Sequence, residues 1–199
     1  GNKLIDFLLK DPNLYLKVHV NNSKIRNFPK DRNIEFVYGN ISDPENLIYL
    51  TKDTEFFINL AYDKFNLKNN IKIAKNIVKV INFQTNLNLL HISTADVYDG
   101  QKGIINDLRI PKPISKYSKE KYQIEEILNT ANNKKQIKIL RISEVFGTNG
   151  YGIYCHINRC LKWQIWQIRL FVFFKKNKYM SYIASNDLVR IIKYAIYNY

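Results

Sequence analysis

Cysteine is almost missing from this chain: Cys155 and Cys160 are the only two in 199 residues. A lone pair is neither a disulfide framework nor a metal site, so free thiols in a reducing cytoplasm are expected and no metal ligand set is assigned. No apolar run reaches the ~18 residues a membrane-spanning helix needs, and no basic, apolar leader with a small-residue cleavage site opens the sequence. Internal repeats, low-complexity tracts and a clear interdomain linker are also lacking. Acidic residues are few, 17 against 31 Lys and Arg, which leaves a net charge of +14. Such an excess raises the question of a nucleic-acid partner. The lysines, however, are spread along the whole chain among abundant Asn and Ile, the drift expected of coding sequence rich in A and T. The charge therefore reads as a solvated surface, and neither nucleic acid nor a membrane is expected as a partner.

What is present is apolar patterning. With 46% hydrophobic residues, the chain is long enough to bury a core. Leu4, Ile5, Leu8 and Leu9 make a stripe on an amphipathic helix at residues 1–10. Strands are predicted at Leu16–Val20, Ile34–Tyr38, Phe56–Ala61 and Ile137–Ser143. A short helix starts at Asp43-Pro44-Glu45, and a longer one runs from Asn70 to Ile81 with Ile73 and Ile77 inward. Further on, a helix is expected at Tyr154–Gln167, an apolar strand at Leu170–Phe174, a strand at Met180–Ala184 and a helix from Asn186. Strands alternating with helices imply an α/β fold with a mostly parallel sheet.

The stretch from Asn88 to Leu128 concentrates the chemistry. Leu89-Leu90-His91-Ile92 is a buried strand that ends in Ser93 and Thr94, as a strand does when its carboxyl end opens into a cleft. After Pro111 and Pro113, Ser115 caps a helix on which Tyr117, Lys121 and Ile124 share a face. A hydroxyl, a phenol and an ammonium thus converge on one site, a set suited to proton and hydride transfer at an alcohol carbon. A free tyrosine titrates near ~10, and lowering it by about three units takes roughly 4 kcal/mol. A lysine one turn away carries the charge to supply it.

Thr94-Ala95-Asp96-Val97-Tyr98, followed by Tyr117-Ser118-Lys119-Glu120-Lys121, resembles the catalytic signature of the extended short-chain dehydrogenase/reductase family, the NAD-dependent sugar epimerases and dehydratases. A bare YxxxK says little in a chain rich in Tyr and Lys; the strand, Ser-Thr, Val-Tyr, proline loop and YxxxK in this order carry the resemblance. It implies a Rossmann-like, doubly wound fold, here without the usual first strand and glycine-rich turn, and hence a chain truncated at both ends. Gly1 corresponds to the last glycine of that turn. Asn21 stands where an Asp binds the adenosine ribose, and Asn40-Ile41 where Asp-Ile contacts adenine. Ala61 is the strand end beside the cofactor, and Asn70 the helix-opening Asn that helps to hold it.

By the same resemblance Thr94 orients the substrate hydroxyl, Tyr117 moves its proton, and Lys121 binds the nicotinamide ribose. Asp96 and Glu144 join Thr94 on the substrate, Glu144 standing where an Asn is usual. The family's dehydratases place Asp-Glu after this Thr; the Ala95-Asp96 found here favours an epimerase or keto-reductase. Val97-Tyr98-Asp99-Gly100 also resembles sugar reductases of the dehydrorhamnose type. The implied cofactor is NAD or NADP, the substrate a nucleotide-sugar, and the assembly, if any, a homodimer. Residues 1–150 would form the nucleotide-binding domain and 151–199 part of a substrate lobe. The competing expectation is a degenerate, non-catalytic member, a nucleotide-binding module or decayed product, motivated by the missing glycines and the two Asn at acidic positions.

Overall fold

The computed structural model describes residues 1–21, 33–106, 108–147, 161, 164–167 and 181–199. The chain divides into a unit of residues 1–141 with 198–199 and a second of residues 142–197. In the first unit the order is α1 (Asn2–Leu8), β1 (Leu16–Val20), β2 (Ile34–Tyr38), α2 (Pro44–Thr51), β3 (Phe56–Asn59), α3 (Leu67–Phe83), β4 (Asn88–Thr94), α4 (Lys116–Leu128) and β5 (Ile137–Ile142). The second unit holds β6 (Glu144–Phe146), paired in parallel with β7 (Tyr182–Ala184), and α5 (Ser185–Tyr197). Residues 165–167 are helical, with Trp166 exposed. Cys155, Cys160, Trp163, Met180 and the strand expected at 170–174 lie outside the described residues.

Local chemistry fixes the boundaries. Asp43 caps α2 by accepting from the Glu45 amide, with Pro44 in the first turn. Asn66 caps α3 by accepting from the Asn69 amide, so this helix begins three residues earlier than the apolar period alone indicates. β3 stops at Asn59 rather than Ala61 because the Asn59 side chain accepts from the Ala61 amide at 3.0 Å and turns the chain away from the ladder.

The core of the first unit lies between strands and helices. Val37 and Phe57 of β2 and β3, Leu89 of β4, Leu47 and Leu50 of α2, Ile73, Ile77 and Ile81 of α3, and Ile124 and Leu128 of α4 form one buried cluster. Each side chain of this size contributes about 1.5–3 kcal/mol by leaving water. β1 and β2 pair in parallel, and a second sheet has the order β3-β4-β5 with β3 and β4 parallel. The strands are parallel as expected, but the sheet is divided: among the described residues no ladder joins β1 to β3. The resemblance puts a strand between these two, and the break falls at that position.

Candidate active site

β4 and α4 bring three side chains together. Thr94, the last residue of β4, accepts from the Asp96 amide at 3.1 Å and starts the tight turn Ala95–Tyr98. Ser115 caps α4 by accepting from the Ser118 amide at 3.1 Å. The Tyr117 phenol, in the first turn of α4, lies near enough to the Thr94 hydroxyl for that hydroxyl to favour its ionised form. Burial and then the Asp96 charge push the phenol above its ordinary pKa; the Thr94 hydroxyl opposes them. Lys121 is buried, donates to the Ile92 carbonyl at 3.3 Å, and has its ammonium 4.5 Å from the centre of the Tyr62 ring. Burial pushes its pKa down to about 8, with Glu125 opposing. The ammonium is thus engaged with Ile92 and Tyr62, and the phenol is raised. The motif spacing predicts the reverse, with Lys121 lowering it.

The loop between β4 and α4 is closed by Asp99 and Gly100. Asp99 accepts from the Ser115 amide at 3.0 Å, the Ser118 hydroxyl at 2.9 Å and the Ile114 amide. Burial disfavours the Asp99 charge, yet these donors outweigh it and hold its pKa below the usual range. The Gly100 amide donates to the Lys112 carbonyl at 3.1 Å, and a Cβ on Gly100 would lie 2.4 Å from that oxygen. Only glycine permits this approach.

A charged network locks α4 from below. Glu125, one turn past Lys121, is fully buried and accepts from Arg141 Nη2 at 2.7 Å and Nε at 3.1 Å. Ser93 donates to the same carboxylate, and Arg141 also donates to the Tyr98 hydroxyl. Burial lowers the pKa of Arg141, but Glu125 and Tyr98 more than reverse it, so the cation is favoured. α4, β4 and β5 are tied at one point, which sets how far Tyr117 and Lys121 reach along the strand ends.

The remaining sequence-derived residues are dispersed. Asn70 is buried and spends its amide on the backbone of Asp63, accepting from its N–H at 2.8 Å and donating to its carbonyl at 2.7 Å. Asn40 accepts from the Ser42 amide and hydroxyl, both at 2.9 Å, and Ile41 is buried in the core. Ala61 is held by Asn59, and Asn21 is an exposed bend after β1. Gly1 caps α1, its carbonyl accepting from Leu4 and Ile5. Asp96 stands in the turn after Thr94, its charge acting on Tyr117. Glu144 opens β6 in the second unit.

The motifs did not reveal Tyr62, Glu120, Arg141 or His91. Tyr62 donates to Glu120 Oε2 at 2.8 Å and packs edge-on against Tyr117, ring centres 5.5 Å apart. His91 is buried beside Asn59, whose amide nitrogen is 3.1 Å from Nδ1. Since Asn59 Oδ1 is taken by Ala61, the Asn donates and His91 Nδ1 accepts, leaving the proton on Nε2. That nitrogen has no partner among the described residues. One signal was available: a histidine inside an apolar run must have its polar atoms met by neighbouring strands.

The family model for the NAD dependent epimerase/dehydratase family matches residues 1–199. Among solved structures, dTDP-glucose 4,6-dehydratase from Bacillus anthracis in complex with NAD is 16% identical, with a TM-score of 0.74 over 97% of this chain and 66% of that one. UDP-N-acetylglucosamine 4-epimerase from Bacillus cereus is 19% identical, with a TM-score of 0.69 over 100% and 70%. UDP-glucuronic acid 4-epimerase from Bacillus cereus, in complex with UDP-glucuronic acid and NAD, is 23% identical, with a TM-score of 0.64 over 81% and 60%. These likenesses show a shared fold, and the chain spans roughly two thirds of the length of these proteins. No curated protein matches.

Proposed function

Since the chain belongs to the NAD-dependent epimerase/dehydratase family, we propose that it is an NAD(P)-dependent epimerase or keto-reductase of a nucleotide-sugar, working through Thr94, Tyr117 and Lys121. The observation that carries this reading is that Thr94 ends β4 beside α4, which presents Tyr117 and, one helical turn behind, Lys121, whose ammonium reaches β4 at the Ile92 carbonyl. Tyr117 is the exposed member of the set, at 41% of its surface, and is the group a sugar hydroxyl reaches.

The donors fit a nicotinamide cofactor at one end only. Tyr117 and Lys121 offer a phenol and an ammonium of the kind a ribose needs. Gly1 has no other glycine near it in sequence, and a Cβ on Gly1 would meet nothing within 4 Å, so Gly1 makes no close cradle for a pyrophosphate. NAD, when bound, supplies the hydride acceptor and donor. On the protein side, Thr94 donates to the substrate oxygen as charge develops there, and Tyr117 takes the hydroxyl proton and later returns it. For that the phenol must fall well below its present value, which asks Lys121 to turn its charge from the Ile92 carbonyl toward Tyr117. A cytoplasmic enzyme, with 151–199 as part of the substrate lobe, completes the reading.

The second reading is a nucleotide-binding member without catalysis. It is favoured by the raised Tyr117 phenol and by the engagement of Lys121 with Ile92. Turnover of a nucleotide-sugar panel with NAD and with NADPH, followed by NMR of the sugar, separates the two. Catalysis predicts product formation that Tyr117→Phe lowers by about 10²–10⁴-fold with cofactor affinity nearly kept. Saturable nucleotide binding without product in the parent chain is the result the second reading requires.

A further inference from the structure

Proton transfer at an alcohol needs the three residues just described, and Tyr62 is not among them. Yet Tyr62 touches two of them. Its ring lies edge-on to Tyr117, with centres 5.5 Å apart and planes at 83°, and its face lies under the Lys121 ammonium at 4.5 Å. Its hydroxyl donates to Glu120 at 2.8 Å. The next residue is held as well, because Asn70 bonds both the amide and the carbonyl of Asp63. A ring restrained from three directions is not merely filling space beside a flexible loop.

The Lys121 ammonium has three N–H donors and is almost fully buried, yet among the described residues it makes one hydrogen bond, at 3.3 Å to Ile92. The Glu125 carboxylate is taken up by Arg141 and Ser93. The electron-rich face of Tyr62, with its centre 4.5 Å from the ammonium, is then a further group that favours the charge, beside the Glu125 carboxylate. We propose that Tyr62 is a positioning residue of this site, its ring face holding the Lys121 ammonium in its charged form while its edge fixes the tilt of the Tyr117 ring. The proposal rests on the reading of Thr94, Tyr117 and Lys121 as the reacting set. It assigns to the loop after β3 a role in holding the reacting cation, and to Asn70 the task of holding that loop.

The test measures the ionisation of Lys121 in the 199-residue chain without cofactor. The rate of its acetylation is followed against pH by peptide mass spectrometry. The titratable groups facing Lys121 are Glu125 on its own helix, His91 from β4 and Tyr62 itself. A ring face favours the cation, so Tyr62→Leu is expected to lower the Lys121 pKa by about half a unit to one unit. Tyr62→Phe keeps the ring face and is expected to leave it unchanged. Phenylalanines of increasing fluorination at position 62 keep the shape while weakening the ring face. They are expected to lower the pKa stepwise, even where the Leu variant folds poorly. An unchanged or raised pKa across the fluorinated series overturns the proposal. Lack of turnover by the parent chain bears on the proposed function alone, since the acetylation measurement does not depend on it.

Discussion

His91 shows how one residue ties burial to pH. It is 1% exposed, and burial followed by the Lys121 charge pushes its pKa down to about 3, against an ordinary 6.5. The unfolded chain therefore binds a proton below about pH 6.5 that the folded chain refuses until about pH 3. Between those limits the unfolded state gains, and stability falls as the pH is lowered, by ~1.4 kcal/mol per unit for one such group. Urea unfolding between pH 7 and 4 is expected to show this slope, and His91→Gln to lose it. A slope that persists in His91→Gln would place the acid sensitivity elsewhere. Lys121 has a different lesson: burial holds its pKa near 8, and its ammonium is engaged with Ile92 and Tyr62 rather than with Tyr117. Lys121→Met is expected to weaken NAD binding and, if turnover is found, to move its basic limb to higher pH. Cofactor titration and a pH–rate profile check both.

Among the elements, α4 is the one on which the site depends, and it is fastened at both ends. Its amino end is held by the Asp99 carboxylate and by the approach of Gly100 to Lys112. Near its carboxyl end it is held by the Glu125–Arg141 pair, which is fully buried on the Glu side and mostly covered on the Arg side. Gly100→Ala would put a methyl at 2.4 Å from a backbone oxygen, where no side-chain rotation relieves it. The loop must shift, at a cost of ~1–3 kcal/mol, and Tyr117 moves with the helix end. Chemical denaturation is expected to show that loss, while Gly103→Ala, with open space around it but a φ of +85°, is expected to lose only ~1 kcal/mol from strain. Equal losses would mean that the Lys112 approach is not what Gly100 serves. Removing the Glu125 charge is a larger change, because Arg141 would keep a partly buried cation with Tyr98 alone.

The molecule as a whole carries a divided parallel sheet. β1 pairs only with β2, and β3 only with β4, among the described residues. Each keeps one edge of backbone donors and acceptors without a strand, and such edges favour association between chains. The helix layer nonetheless spans the break, since Val37 of β2 and Phe57 of β3 belong to one buried cluster. The dinucleotide is expected to bind these 199 residues weakly, because Gly1, at the start of α1, has no other glycine near it in sequence whose amide would meet the pyrophosphate. Isothermal calorimetry with NAD on the 199-residue chain checks this, beside a version carrying a strand and GxxG turn ahead of Gly1. The expected result is at least tenfold tighter binding by the extended version. Equal affinity would show that the pyrophosphate is held by other groups.

Sequence by itself settled what depends on neighbours along the chain. Apolar periodicity placed β1, β2, β4, β5 and α4, and side-chain oxygens at Asp43 and Ser115 marked where two helices begin. It also brought Thr94, Tyr117 and Lys121 to one strand end, because a strand–loop–helix unit folds back on itself within about 30 residues. The bounds of β3 and α3 escaped it, since Asn59 and Asn66 turn the backbone through single side-chain bonds that no periodicity records. Only the tertiary structure decided which groups a charge meets. Tyr62 and Glu120 are 58 residues apart, Glu125 and Arg141 belong to different elements, and Asn70 turns inward onto Asp63. Whether Lys121 faces Tyr117 or Tyr62 is a difference of a few ångströms in an ammonium on a flexible stem. That difference is fixed by packing around the stem, which is a property of the folded chain and not of any motif.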